Sequence, residues 1–331
     1  MPNRTKISVA LEPVAGSRFQ PTGFPDLGTG KFQKPTSGPE KWVDAILVES
    51  EQSMANHLEG TGWDRGDQKP VAALVGLPYV QVVDADGQFL TSSRTEAHRL
   101  SSAFIREGVD AAGTKMTEVL KDRLQLVDDK PLSARAIAKA VLALDPACLV
   151  HGVFFADPSL PGQPKITRAL TSFIEAEDVR PAEFGGVKKD DVRHKNADDG
   201  GSGEGYGSIP FHRTFWTARR ITASFVLDLE QIASYGLSTD AARLVEVMAL
   251  WEIRTLLDRG LRLRTSCDLV PTESADLSNL PMLTDLTAEL TGLASKLGDE
   301  LNRGTVLTVK WTGGSKGKKA KPKGDAAEEN E

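Results

Sequence analysis

Between Tyr206 and Leu227 the chain carries Arg213, Arg219 and Arg220, interleaved with Phe211, Phe215 and Trp216, and no acidic residue. A guanidinium contacts phosphate oxygens and stacks on bases, and an aromatic ring supplies a stacking platform. That mixture on an open strand suits single-stranded RNA; the plain alternative is a solvated strand with its aromatics in the core. Arg262 and Arg264 repeat the theme at alternate positions, so they project from one side of a strand. A third cluster is Ser93-Arg94-Thr95-Glu96 with His98 and Arg99, read as a helix start whose free N–H groups and cations form an anion site. Its alternative is a capped surface helix. Lys165 and Arg168 follow a Pro-rich loop, Pro158 to Pro164.

Other chemistries find little support. His98 and His151 bring imidazoles, the side chain most often used in acid–base catalysis, but neither has a nucleophile or metal partner by spacing, and His151 sits in an apolar run as a core histidine does. The glycines from Gly200 to Gly207 lack the Gly-Lys-Ser/Thr ending of a phosphate loop. Asp190-Asp191 and Asp198-Asp199 read as a solvated charge run. The chain's two cysteines, Cys148 and Cys267, form no CxxC pair and read as buried reduced thiols. No catalytic set, metal or cofactor is expected.

The elements that must position these residues follow from periodicity. Ile7–Leu11 alternates as a strand; 14–39 reads as a Gly/Pro loop; from Trp42 the pattern reads as a helix with Val43, Leu47, Met54 and Leu58 inward. Its other side carries Gln52, Ser53 and Asn56. Leu77–Val83 reads as a strand, Ser93 starts a helix with Ala97, Leu100 and Phe104 inward, and a further helix runs from Ser133 to Pro146. Leu149–Phe155 reads as a central strand, and Gly185–Gly207 as a polar mobile excursion. Arg220–Leu227 alternates as a strand. Ser238 or Thr239 caps a helix ending near Gly260, and Leu261–Thr265 is another two-faced strand. Leu286–Leu301 predicts the last helix, and Thr305–Trp311 the last strand. Strands mixed with helices predict an α/β or α+β sandwich with a half-open sheet.

At 331 residues, with 40% hydrophobic and 26% charged residues, the composition is that of a globular protein. No apolar run suits a bilayer span or a signal peptide, so a cytoplasmic protein is expected. A net charge of -6 runs against the basic footprint of a nucleic-acid binder. Screening confines charge effects to about 10 Å, so a local basic groove is compatible with that total.

Several segments together resemble one known family. They are Leu47 to Asn56, Ser92-Ser93-Arg94 through His98-Arg99, Leu149 to Phe155, Arg168 to Ala176, and Leu261 to Leu269. In content and order they are similar to the Cas-seven-type (Csb-one-like) RAMP backbone protein of type I-G, formerly I-U, CRISPR systems. The resemblance covers most of the chain to about Trp311. It implies an α+β fold: an RNA-recognition-like (ferredoxin-like) palm with an antiparallel sheet, helices on one face, and inserted finger and thumb elements. Residues 1–311 would form this single domain, with the 14–39 loop, a 60–146 finger-like helical insertion and a 156–210 thumb-like excursion. Residues 312–331 would be a disordered tail, lysine-rich and then acidic.

The implied function is a non-enzymatic backbone subunit of the Cascade surveillance complex in antiviral defence. Copies would stand side by side in a helical filament along the CRISPR RNA and present it to target DNA, with a separate nuclease cutting. Other partners would be a large subunit and a Cas-five or Cas-six-type guide-end subunit; no membrane is involved. The expected RNA contacts are Arg94, His98, Arg99, Lys165, Arg168, Arg213, Arg219, Arg220, Arg262 and Arg264, with Gln52, Ser53 and Asn56 adding neutral hydrogen bonds. Two rivals stay open. One is an RNA-cleaving relative using His98 as base or Asp157, Asp190 or Asp191 with a metal; the other is a protein-interaction module.

Overall fold

The computed structural model describes residues 3–24, 28–36, 38, 41–188, 209–311 and 313. In chain order, β1 (Arg4–Pro13), β2 (Lys31–Pro35) and β3 (Trp42–Glu49) lead into α1 (Glu51–Thr61). Strands β4 (Tyr79–Val83) and β5 (Phe89–Ser92) precede α2 (Ala134–Leu144) and the short α3 (Ala147–His151). The long β6 (Leu170–Lys188) and β7 (Ile209–Asp228) are followed by α4 (Thr239–Arg259), β8 (Leu261–Arg264) and β9 (Cys267–Pro271). Helix α5 (Leu283–Lys296) and strand β10 (Val306–Lys310) come last.

Alternation dictates the main sheet. In β1, Ile7, Val9 and Leu11 are buried while Lys6, Ser8 and Glu12 are exposed. The partner strand β7 repeats the period, with Ile7 opposite Phe225 and Leu11 opposite Ile221. Strands run in the order β8-β9-β1-β7-β6-β3-β2, all antiparallel, and Arg18–Phe19 adds beside β7. Helices α1 and α3 pack on β6 and α4 packs on β7, covering the apolar face. Each fully buried side chain there, such as Phe225, contributes about 1.5–3 kcal/mol. The fold is therefore a mixed α+β one, as expected. Among the described residues no helix is long and apolar enough to cross a membrane.

Helix α4 shows how local signals set an element. The Ser238 hydroxyl accepts from the Ala241 N–H at 3.2 Å, and Gly260 at φ +79° ends the helix. Helix α2 begins likewise on Ser133. A second sheet, β5-β4-β10, stands apart from the first; β10 joins β4 in parallel, Thr308 opposite Gln81. Cys148 and Cys267 are free and buried, and burial pushes the Cys267 thiol up to about 11.

Four expectations are corrected. Trp42–Glu49 is a strand and not a helix; Ser50, capping α1 through the Ser53 N–H, marks the true start. The segment 14–39 is only partly loop, since Arg18–Phe19 and β2 join the sheet. Ser93–Phe104 does not form one helix. Thr91, Ser92 and Thr95 bond to one another, and Ser93 bonds Asp145, closing a turn before the short helix Ala103–Arg106. Leu149–Phe155 is not a central strand; α3 runs to His151, Gly152 breaks it, and only Val153–Phe154 is extended. The Gly185–Gly207 excursion, with Asp190, Asp191, Asp198 and Asp199, lies mostly outside the described residues; Gly185 to Lys188 belong to β6. The tail 312–331 lies outside them too, Gly313 excepted.

Candidate nucleic-acid interface

Beyond α3 the chain doubles back: Val153–Phe154 pairs with Lys165–Ile166, and Arg168 leads into β6. Gly152 makes this possible. At φ +82° it stands where a Cβ would lie 2.9 Å from both Arg168 N and Ile166 O. Facing this hairpin is the Arg99 turn. Arg99 itself has φ +52° and is held by a bidentate pair with Glu59 (2.6 and 2.8 Å) and by donation to Gly152 O at 3.1 Å. Between hairpin and turn lies a cleft of about 820 Å³.

The cleft gathers four of the expected RNA contacts: His98, Arg99, Lys165 and Arg168. Arg99 is engaged by Glu59. Among the described residues no carboxylate lies within ion-pair distance of Lys165 or Arg168, and His98 is exposed. Arg168 donates to Glu51 O at 3.1 Å, so its guanidinium sits at the first turn of α1. On the same helix Gln52 and Asn56, one turn apart, are exposed, and Ser53 is half-buried. Phe154 is 50% exposed, with the Lys165 ammonium 5.9 Å from its ring centre. An exposed ring beside the Lys165 ammonium offers one surface to a base and another to a phosphate.

Asp157 also lines the cleft but is engaged: it pairs with Arg106 and accepts from the Ser159 N–H at 2.8 Å. The Ser159 and Arg106 contacts hold its carboxyl below the usual aspartate value. Among the described residues no group of three or more His, Cys, Asp or Glu is disposed to hold a metal ion.

The remaining expected contacts are scattered. Arg94 is buried, donating to Pro78 O, near Asp145 at 3.5 Å and over the Tyr79 ring. It is a core residue, turned inward because Ser93 and Asp145 draw the turn onto α2. Arg264 also turns inward, pairing with buried Glu49 and donating to Gln20 O and Val48 O. Arg264 and Arg168 thus grip the β3–α1 junction from either side of Ser50. Arg262 is exposed, in register with Asp268. Arg213, Arg219 and Arg220 are exposed on the β6–β7 ribbon; Arg220 pairs with Glu177, and Arg219 lies 3.9 Å from Asp178.

That ribbon also carries contacts that sequence reasoning missed. Arg18 lies over the rings of Phe184 and Phe215 at 5.2 and 5.1 Å, and Lys31 over Trp216 at 4.9 Å. Arg106 and Phe154 in the cleft were missed as well. Phe154 was hidden in an apolar run, and its flanking Gly152 was the one available signal that the run breaks there.

Replacing Gly152 by alanine is expected to destabilise the protein by about 1–3 kcal/mol in urea unfolding, because that backbone region is essentially glycine's own. An unchanged midpoint would mean that the hairpin is not held as described.

The chain matches the family described as CRISPR-associated protein GSU0053 over residues 6–181. Two solved structures are similar to it. One is a chain of a "CRISPR RNA-guided surveillance complex, pre-nicking", 14% identical, covering 89% of this chain and 88% of that one with a TM-score of 0.40. The other is Thermofilum pendens Csc2, 12% identical, covering 92% and 78% with a TM-score of 0.31. No curated protein matches. With more than half of its 331 residues inside the family match, the chain belongs to the CRISPR-associated protein GSU0053 family.

Proposed function

We propose that this protein is a CRISPR RNA-binding backbone subunit of a type I-G Cascade surveillance complex, holding the guide so that its bases remain free to pair with target DNA. The observation that carries this reading is the cleft in which unpaired Lys165 and Arg168 meet His98 and the exposed Phe154 ring. The exposed amides of Gln52 and Asn56 extend it with neutral donors suited to phosphates and 2′-hydroxyls. Arg262 and the exposed arginines of the β6–β7 ribbon would add separate phosphate contacts outside the cleft, and Arg94 and Arg264 act as internal braces.

The spatial order β9-β1-β7-β6 supports an RNA-recognition-like palm, since in chain order these strands read fourth, first, third, second. The β6–β7 ribbon is the candidate thumb, and the 60–146 segment, with β4 and β5, the candidate finger. Copies of the subunit would stand side by side on the guide, joined by a large subunit and a guide-end subunit. The body stays acidic because only a narrow basic path is needed. Asp157, already held by Arg106, is poorly placed to bind a metal, which favours a scaffold over a nuclease.

The test is co-expression with a CRISPR transcript, followed by size-exclusion mass and absorbance ratio, alone and with the partner subunits. A large particle containing RNA is expected. A monomer free of RNA in both preparations would overturn the reading.

A further inference from the structure

The last strand, β10, delivers the chain to the back of the cleft. Lys310 exchanges two backbone hydrogen bonds with Val109 (2.8 and 3.0 Å), and the Trp311 N–H donates to Val83 O at 2.9 Å. The Trp311 ring packs edge-on against Phe104, with ring centres 5.0 Å apart. Phe104 belongs to the short helix Ala103–Arg106, whose Ala103 and Arg106 line the cleft. One helix, about 10–12 Å across with its side chains, thus stands between Trp311 and the cleft.

The wall that this helix helps to form has its guanidiniums already engaged. Arg99 is paired with Glu59 and Arg106 with Asp157, whereas Lys165 and Arg168 stand on the facing hairpin side. Beyond Trp311 the sequence supplies what that wall lacks. Lys316, Lys318, Lys319, Lys321 and Lys323 follow, and no acidic residue comes before Asp325. A chain advances at most about 3.3–3.6 Å per residue, so Lys316 can stand about 17 Å from Trp311, more than the width of the intervening helix. The acidic residues Asp325, Glu328, Glu329 and Glu331 come later, and effective concentration at a tethered site falls as the linker lengthens. The order of the two blocks favours cations beside the cleft.

We infer that the lysine segment 316–323 is a second RNA-binding element, which neutralises, from the turn side of the cleft, phosphates of the strand held by Lys165 and Arg168. This rests on the guide-binding reading and adds a segment of the same chain to its site. A lysine ammonium acts as a point charge, so the contribution is indifferent to base sequence and sensitive to salt.

The experiment replaces the five lysines by glutamine in the full chain, a change that removes no contact described above. Affinity for single-stranded RNA is then measured between about 0.1 M and about 1 M salt. Each neutralised phosphate of a single strand contributes about 0.7 to the slope of log affinity against log salt. Two engaged phosphates give a slope loss of about 1.4, hence about a 25-fold loss of affinity at the low-salt end that fades toward the high. Unchanged affinity and slope would overturn the inference, as would a loss confined to duplex DNA. Position is read by photocrosslinking to RNA carrying thiouridine. Residues 153–168 and the segment beyond Trp311 should both become attached in the same complex; a marked segment beside an unmarked hairpin would put the lysines on another strand and overturn the inference. Failure of the unaltered chain to bind RNA, even with the partner subunits present, would overturn the guide-binding reading itself, whereas tight binding indifferent to the five lysines would remove only this segment.

Discussion

Arg264→Ala lowers the free energy of unfolding by about 3 kcal/mol or more, and the loss comes from inside the protein. Glu49, its partner, has 0% exposure at the end of β3. Removing one member of a buried ion pair strands the other, and breaking such pairs typically costs about 3–5 kcal/mol. The same guanidinium ties Gln20 O and Val48 O, so β3 and the segment after Arg18 lose their brace together. Urea unfolding of Arg264→Ala, Glu49→Gln and the double variant checks this. The double variant should recover part of the loss, because the neutral amide that replaces the Glu49 carboxylate leaves no charge to strand. Additive losses would show that the pair is not coupled. Arg262, exposed on the same strand, is expected to change stability by less than about 0.5 kcal/mol when replaced by alanine. Loss of RNA in an Arg264 variant therefore reports on folding, while loss in an Arg262 variant reports on contact.

Lys165→Ala/Arg168→Ala weakens RNA binding about a hundredfold at moderate salt while leaving the fold intact. Each charge-assisted contact to phosphate contributes about 1.5–3 kcal/mol, so two together carry this effect. Neither cation has an acidic partner among the described residues, so their removal strands no buried charge. Arg168 gives up one hydrogen bond to Glu51 O, about 1 kcal/mol of stability. The diagnostic readout is salt dependence. For single strands each neutralised phosphate contributes about 0.7 to the slope of log affinity against log salt, so the double variant should lose about 1.4. Unchanged affinity and slope would remove the cleft from the RNA path.

What was legible in the sequence, and what was not, divides along a physical line. The strands β1 and β7 were legible because each has one drier and one wetter face, so their period of two survives in the pattern, whereas α4, buried along most of its length, was legible from its length and from the Ser238 and Gly260 signals at its ends. Leu149–Phe155 was illegible because α3 is buried on all sides, leaving no period to separate helix from strand. Trp42–Glu49 failed for a related reason: Val43, Leu47, Met54 and Leu58 fit a helical stripe across a boundary that only the Ser50 cap reveals. At the site, Lys165, Arg168 and His98 were found from type and neighbourhood. Arg94 and Arg264 look the same in the sequence, yet each points inward. What separates them is a carboxylate far along the chain, Asp145 or Glu49, and no local pattern encodes that meeting.

The parallel pairing of β10 with β4 sets an order of events during synthesis. Thr308 bonds Gln81 across 227 positions, so β4 leaves the ribosome long before its neighbour exists. Long-range pairings of this kind form late and leave strand edges open in the meantime. A nascent chain halted before Val306 would hold β4 with β5 on one side and bare backbone on the other. Such an edge is a template for any extended segment that passes. On a message crowded with ribosomes, the segments that pass most often belong to other unfinished copies of the same chain. Synthesis of Val306–Lys310 is therefore the step that withdraws each copy from wrong partners, and slowing translation upstream of it would lengthen the interval in which a chaperone must stand in for the missing strand.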